Sequence, residues 1–131
     1  MSLSHSPEDV FRRLIEGVAA RRWRELPDLY GEDAVVLHPF ATDASARLVG
    51  REQLREHFAR MATIDLEMRA HDVIVHTTGD PEVLVAEFAY HGRVGKDGRQ
   101  FKLPAVFVLR VRGGQIVESR DYLGQRQPLV S

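Results

Sequence analysis

Four long runs of alternating apolar and polar residues fill the second half of the chain and constrain its fold most. They span residues 66–78, 83–94, 99–112 and 115–123. Alternation with a period of two is typical of β-strands that bury one face. Glycine-rich segments at 95–98 and at Gly113-Gly114 separate the later runs and are hairpin signals. The pattern predicts an antiparallel meander, and because the runs exceed the usual length of about five or six residues, we expect a strongly twisted sheet bent at a bulge.

The first half of the chain begins with a helix signal. Ser6 is a hydroxyl N-cap, Pro7 suits the first helical position, and two acidic residues follow where the helix dipole favours negative charge. The next apolar residues recur at a period near 3.6: Val10, Phe11, Leu14, Ile15, Val18 and Ala19. This spacing predicts a helix with one buried stripe.

Two further helices and one strand are predicted before the meander. A short helix is expected within residues 23–30, where Gly31 supplies a C-terminal stop. The segment 34–40 is β-branched and apolar, and it predicts a strand that ends at His38 because the next residue is a proline. Apolar residues on one face of the segment 51–61 predict a third, amphipathic helix.

The element order αα-β-α-ββββ predicts an α+β domain in which three helices pack on one face of a curved antiparallel sheet. Hydrophobic residues make up 44% of the chain and charged residues 28%, which is the balance of an ordinary globular domain. We assign a single domain to residues 1–131, with its core at about 7–124. A curved sheet closed by helices encloses an interior, and that interior is the natural place for a small-molecule pocket.

Charge and composition exclude several classes of partner. The 18 basic residues almost balance the 19 acidic residues, so no basic field attracts nucleic acid. Without cysteine, the chain has neither a disulfide nor a thiolate ligand. Residues 1–7 lack the regions of a signal peptide, and no apolar run approaches the roughly 18 to 20 residues that span a membrane. We therefore expect a cytoplasmic protein that binds neither nucleic acid nor membrane.

Three segments carry a resemblance to a known family. They are residues 29–40 (Leu-Tyr-Gly-Glu-Asp-Ala-Val-Val-Leu-His-Pro-Phe), 50–54 (Gly-Arg-Glu-Gln-Leu) and 113–122 (Gly-Gly-Gln-Ile-Val-Glu-Ser-Arg-Asp-Tyr). Together with the element order over residues 7–124, they resemble the NTF2-like superfamily, in its branch of SnoaL-like polyketide cyclases and ketosteroid-isomerase-like proteins. The resemblance implies a cone-shaped fold, a homodimer, and a pocket for a small hydrophobic molecule without metal or organic cofactor. Since the superfamily also has non-catalytic members, the fold alone does not name a reaction.

Carried over residue by residue, the resemblance points to His38. In ketosteroid isomerases the equivalent strand ends in Asp-Pro-Phe, and the Asp is the general base; here His38-Pro39-Phe40 stands in its place. A histidine can act as a base near neutral pH if a partner orients its ring. The two oxyanion donors of that family fall on Leu14 and Phe107, which cannot donate hydrogen bonds, so authentic ketosteroid isomerase activity is not expected.

Asp121 is the predicted partner of His38. A period of two puts Asp121 and Leu123 on one face of the last strand, and we predict that this face points inward. A carboxylate there would fix the imidazole tautomer and raise its basicity. Alternatively, Asp121 pairs with Arg120 or Arg126 at the surface, and His38 is a buried polar group without a catalytic role.

Further residues are expected to line the pocket and bind substrate. They are Leu14, Trp23, Phe40, His57, Phe58, Phe88, Tyr90, Phe107 and Leu123. His57 has a second interpretation as an ordinary boundary residue of its helix. His71 and His76 are five positions apart on one strand, so they are predicted to point to opposite faces. Because no compact ligand motif is present either, we expect no metal site.

Two functions remain open at this point. The first is a cofactor-independent SnoaL-like cyclase or isomerase that uses His38 and Asp121 for acid–base chemistry on a small hydrophobic molecule. The second is a non-catalytic ligand-binding or dimerisation module whose pocket is filled by side chains. In both, a homodimer is expected through the outer sheet face, where Val106, Val108 and Val117 would otherwise be exposed.

Overall fold

A computed structural model describes residues 5–129 of the chain. Outside the described part lie residues 1–4 and 130–131. They belong to the predicted N-terminal segment and to the ends of the predicted domain. The elements are α1 (Pro7–Ala19), a 3-10 turn (Leu26–Leu29), β1 (Tyr30–Leu37), a second 3-10 turn (Ala44–Ala46), β2 (Arg47–Val49), α2 (Arg51–Ala62), β3 (Leu66–Thr77), β4 (Val83–Val94), β5 (Arg99–Arg112), β6 (Gln115–Leu123) and β7 (Gln127–Pro128).

The first helix forms as its sequence predicts. The Ser6 hydroxyl oxygen accepts a hydrogen bond from the Asp9 backbone N–H at 3.2 Å, and Pro7 occupies the first turn. The apolar stripe is buried against the sheet, and Val10 and Phe11 are fully inaccessible. The Phe11 ring lies 5.6 Å from Phe88 and 6.4 Å from Phe107, which places an aromatic cluster between α1 and the concave face of the sheet.

The prediction of three helices is wrong, because the described residues form two α-helices. The predicted second helix is only the 3-10 turn Leu26–Leu29, with Pro27 at its start. A proline there removes a backbone donor, and the chain extends into β1 already at Tyr30. Gly31 consequently lies within the strand, where it is buried beside β6, and does not act as a helix stop.

The sheet is curved and mixed, so the prediction of a wholly antiparallel sheet is also wrong. The strand order is β2-β1-β6-β5-β4-β3, and β7 pairs with β5. All pairs are antiparallel except β1 and β6, which run parallel with Val36 beside Ser119 and Leu37 beside Arg120. This register has a direct consequence for function, because it brings the residue that follows β1 next to Asp121.

A β-bulge in β3 corrects the predicted placement of two histidines. The register with β4 shifts between His71 and Ile74, and Asp72 adopts a left-handed backbone conformation with φ 58°. One extra residue reverses the alternation of faces beyond it. His71 and His76 therefore lie on the same outer face, where His71 stacks on His91 with ring centroids 4.2 Å apart and His76 contacts a glutamate of β4.

The predicted hairpins after β4 and β5 are present. Gly113 and Gly114 both have positive φ, 59° and 79°, as a two-residue connection between β5 and β6 requires. At the same end of the sheet, two arginines of β5 bind Glu82 at 2.9 Å each. The hydrogen bonds from Arg112 and Arg110 lower the pKa of Glu82 to about 2. Among residues 5–129, no helix is long and apolar enough to cross a membrane.

Gly92 in β4 tests how tightly the concave face is packed. A Cβ at this position would lie 2.4 Å from the Glu67 backbone oxygen and 2.7 Å from the Phe101 ring. Because a backbone atom cannot move aside cheaply, we expect Gly92→Ala to destabilise the fold by about 1–3 kcal/mol, measured as a lower midpoint of thermal or urea unfolding. Gly79→Ala is the matched control, since a Cβ there meets nothing within 4 Å. Equal stability of the two variants would contradict this packing.

Candidate active site

A cavity of about 210 Å³ lies between the helices and the concave face of the sheet. Most of its wall is apolar, and the residues with polar side-chain groups in it are few: His38, His57, Asp121, two tyrosines, Trp23 with its indole N–H, and Arg126. A neighbouring space of about 240 Å³ shares His38, Asp121 and Leu123 with it. Apolar walls with a few convergent polar groups are typical of small-molecule sites.

His38 is held from both sides of its ring. It follows β1 directly, and its Nδ1 lies 2.6 Å from the Ser45 carbonyl oxygen. Because a carbonyl oxygen only accepts, Nδ1 carries a proton and donates it. The opposite ring nitrogen, Nε2, lies 3.5 Å from Oδ2 of Asp121. Both nitrogens therefore face acceptors, an arrangement that favours the imidazolium form.

Asp121 is a buried carboxylate, only 7% exposed. Its Oδ1 accepts a hydrogen bond from the hydroxyl of Ser119, two residues earlier on the same face of β6. The alternative surface pairings are not formed: Arg120 binds Glu118 at 2.8 Å, and the Arg126 guanidinium lies 4.7 Å above the Phe101 ring. Oδ2 is left facing His38 and the cavity.

The electrostatics of His38 follow from two opposing effects. Burial lowers its pKa, but the hydrogen bond with Asp121, the bond to the Ser45 carbonyl and the charges of Asp121 and Asp43 outweigh burial, so the pKa of His38 is raised above 6.5. A raised pKa means that protonation of His38 stabilises the fold below its ordinary titration range, and that this contribution is lost as the pH rises through the folded-state value.

Two tyrosines supply neutral hydrogen-bond donors to the same cavity. Burial first, and then the negative charge of Asp121, raises the pKa of Tyr30 and of Tyr90 far above the physiological range. Both phenols therefore stay protonated beside the His38–Asp121 pair. Tyr90 is among the residues predicted from the sequence, whereas Tyr30 is not, because the sequence analysis assigned it to a helix.

The structure places most of the predicted pocket residues on the cavity wall. Those that line it are Leu14, Trp23, His57, Phe58, Tyr90, Phe107 and Leu123. Phe88 does not, and Phe40 instead lines the neighbouring space that shares His38, Asp121 and Leu123. A turn in which the Ala41 N–H binds the His38 carbonyl at 2.9 Å directs the chain outward, so Phe40 is 68% exposed against the ring of Tyr122. Phe88 belongs to the aromatic core with Phe11.

Several cavity residues were not found from the sequence. Besides Tyr30, they include Met61, Met68, Phe101, Leu103 and Arg126. Met61 was assigned correctly to the apolar face of its helix, but apolar periodicity does not separate a cavity wall from a filled core. Arg126 lies after β6 in irregular structure, where no periodic signal exists. Within the described part of the chain, no group of three or more His, Asp or Glu side chains could hold a metal ion.

The fold and its cavity define a SnoaL-like protein of the NTF2-like class. The family model for the SnoaL-like domain matches residues 11–119, and the chain belongs to this family. Its sequence is similar to that of an uncharacterised PhzA/B-like protein of Pseudomonas aeruginosa, with 33% identity over 111 residues that cover 84% of this chain and 76% of that protein.

Solved structures agree on the fold. A proposed isomerase of Bacillus subtilis aligns with a TM-score of 0.82 and 22% identity, over 92% of this chain and 86% of that one. A proposed polyketide cyclase of Pseudomonas putida aligns with a TM-score of 0.73 and 18% identity, over 92% of each chain. At these identities, the comparison establishes the architecture and leaves the reaction to the site itself.

The coupling between His38 and Asp121 can be measured directly. In Asp121→Asn the ring stays buried but loses the carboxylate, so we expect the pKa of His38 to fall below its ordinary value. Titration of the imidazole signals by NMR measures this shift. Glu118→Gln, on the outer face of the same strand, is the control and should leave the titration of His38 unchanged. A titration of His38 that is identical in the wild type and in Asp121→Asn would show that the two groups do not interact.

Proposed function

We propose that this protein is a cofactor-independent acid–base enzyme, an isomerase or cyclase acting on a small, mostly apolar carbonyl compound. The observation that carries the proposal is the pairing of His38 Nε2 with Asp121 Oδ2 at 3.5 Å on the wall of an apolar cavity. The two atoms are too far apart for a tight hydrogen bond, so an atom of a bound ligand can compete with Asp121 for the Nε2 proton of His38.

The proposed chemistry needs one group that takes a proton from carbon and others that stabilise the resulting enolate. The Asp121–His38 pair exchanges protons with the ligand, since an imidazole gains and loses a proton near neutral pH and the carboxylate orients its ring. Leu14 and Phe107 line the cavity and cannot bind an enolate oxygen. The phenols of Tyr30 and Tyr90 are protonated donors on the same wall, and they take that role in the proposal.

The comparisons support the reaction class in general terms. Among the proteins that share this architecture are a proposed isomerase and a proposed polyketide cyclase. The proposal extends only this class to the present chain. A cavity with neutral donors and one acid–base pair suits a ketone or a β-dicarbonyl unit on an apolar ring system.

The test is proton exchange at an activated carbon. 2-Tetralone is a suitable probe, because it is a compact bicyclic ketone whose α-hydrogens exchange through an enol. We expect the protein to catalyse deuterium incorporation from D₂O above the buffer rate, followed by NMR. Asp121→Asn should reduce the protein-dependent rate by about 10²-fold or more, the usual range for loss of an acid–base group, while Glu118→Gln keeps it.

The outcomes separate the two open functions. If the wild type binds 2-tetralone without accelerating exchange, the acid–base proposal is wrong and the chain is a binding module. If Asp121→Asn loses exchange but unfolds at the same temperature as the wild type, the loss is chemical. A rate unaffected by Asp121→Asn would remove this residue from the mechanism.

We also propose that the protein is a homodimer that buries the outer face of its sheet. Val85, Val106 and Val108 lie next to one another across β4 and β5 and remain partly accessible in the single chain. Contiguous apolar residues on a sheet face are typical of an interface, and closed twofold dimers are the commonest arrangement.

The dimer proposal predicts a mass and a way to change it. Light scattering at micromolar concentration should give about twice the chain mass of 14.9 kDa. Val108→Lys should shift the protein to the monomer, because a charge would be buried at the contact. Val49→Lys, at an exposed position of β2, is the matched control and should stay dimeric. A monomeric wild type would overturn the proposal.

A further inference from the structure

His57 is the second imidazole on the cavity wall, and its helix explains why it is there. Leu54, His57, Phe58 and Met61 occupy one stripe of α2, at spacings of three and four residues, and all four line the cavity. The His57 ring centroid is 5.8 Å from that of His38 and 5.4 Å from that of Phe58. One small molecule in the cavity therefore reaches both imidazoles.

The two rings differ in their hydrogen bonding. Both nitrogens of His38 are engaged, by the Ser45 carbonyl and by Asp121. In the part of the chain that the structure describes, the His57 ring nitrogens form no hydrogen bond with protein groups. A neutral imidazole has one nitrogen with a free lone pair. His57 can thus offer that lone pair to a ligand without breaking a contact.

The surroundings of His57 lower the pKa of its ring, whereas those of His38 raise the pKa of the His38 ring. Burial, followed by the neighbouring His38 and by Arg60 on the same helix, lowers the pKa of His57, and the charges of Asp121 and Asp43 counteract this only in part. The pKa of His38 is raised in the same cavity. When the surroundings of two neighbouring groups shift their pKa values in opposite directions, one group is suited to act as an acid and the other as a base.

We propose that His57 is a second catalytic group of this site, a neutral base that removes a proton from one atom of the ligand while the His38–Asp121 pair gives a proton to another. This inference rests on the proposed function and adds a division of labour to it. The ligand it implies is a carbonyl compound whose acidic C–H lies one carbon from the carbonyl, so that both atoms fit between the two rings.

The protons balance in this scheme. The lone pair of His57 takes the proton from the α-carbon, and the C–H electron pair becomes the new C=C bond. The carbonyl oxygen takes the Nε2 proton of His38, which leaves a neutral imidazole beside Asp121. The enol O–H then returns its proton to Nε2 of His38 while the C=C electron pair takes a proton at carbon from protonated His57, which restores the ketone and both side chains. Because protonated His57 exchanges its proton with D₂O before this return, the carbon acquires deuterium.

The test uses the pH dependence of deuterium exchange into 2-tetralone. We expect a bell-shaped profile, in which the rate rises as His57 loses its proton on the acidic side and falls as His38 loses its proton on the alkaline side. His57→Gln should abolish the acidic limb and lower the maximum by about 10²-fold, and His57→Ala should recover exchange when imidazole is added.

Arg60→Gln provides a variant outside the catalytic groups. Removing this cation should move the acidic limb to higher pH and leave the alkaline limb in place, since Arg60 is among the groups that lower the pKa of His57. A purely structural role of His57 would produce neither this movement nor the rescue by imidazole.

The possible failures are distinguishable. If the wild type accelerates exchange and Asp121→Asn loses it, but His57→Gln keeps the wild-type profile, the inference is overturned and the proposed function stands. If the wild type does not accelerate exchange at any pH, both are overturned. An acidic limb that disappears in His57→Gln, with imidazole rescue in His57→Ala at an unchanged unfolding temperature, supports the inference.

Discussion

The parallel pairing of β1 with β6 is the constraint on which the site depends. Its register puts Leu37 beside Arg120, so the next residue along β1, His38, lies beside Asp121. The remaining pairs of the sheet are antiparallel, and none of them would bring these two side chains together. If β1 did not pair with β6, His38 and Asp121 would not be brought together. The position of β1 in the sheet therefore matters more for this site than the number of helices.

Burial of Asp121 is tolerable only because its partners are present. An ionised carboxylate in an apolar cavity is costly unless hydrogen bonds and an opposite charge compensate. The Ser119 hydroxyl donates a hydrogen bond to Oδ1 of Asp121. The imidazole of His38, whose pKa is raised, faces Oδ2. Burial and, after it, the charge of Asp121 keep the two phenols of the cavity protonated. The groups that the proposed reaction uses therefore owe their protonation states to burial together with the interaction with Asp121.

The family of the fold and the inward position of Asp121 are predicted from the sequence, whereas the number of helices and the mixed sheet are not. Period two on β6 gives the inward face of Asp121, and the resemblance gives the position of His38, because both are local patterns. The Ser45 carbonyl that binds the other nitrogen of the imidazole belongs to a loop. Every residue has such a backbone oxygen, so the sequence does not reveal which one will bind His38. Tyr30 was missed since Pro27 permits both a helix start and a 3-10 turn. The bulge at Asp72 places His76 on the face opposite to the predicted one. The bulge is not predicted because a non-glycine residue with a left-handed backbone conformation has no reliable sequence signature.

His38 and Asp121 are far apart in the sequence, and this separation has a consequence for biosynthesis. The helices and the β3–β4 hairpin are built from near neighbours and can form early, whereas the ladder between β1 and β6 must wait until β6 has left the ribosome, after β3, β4 and β5. Until then, the edge of β1 that β6 will cover is an open strand, able to pair with a neighbouring nascent chain. The proposed acid–base site is therefore among the last parts of the fold to assemble during translation, and the pairing that completes it also covers the open edge of β1.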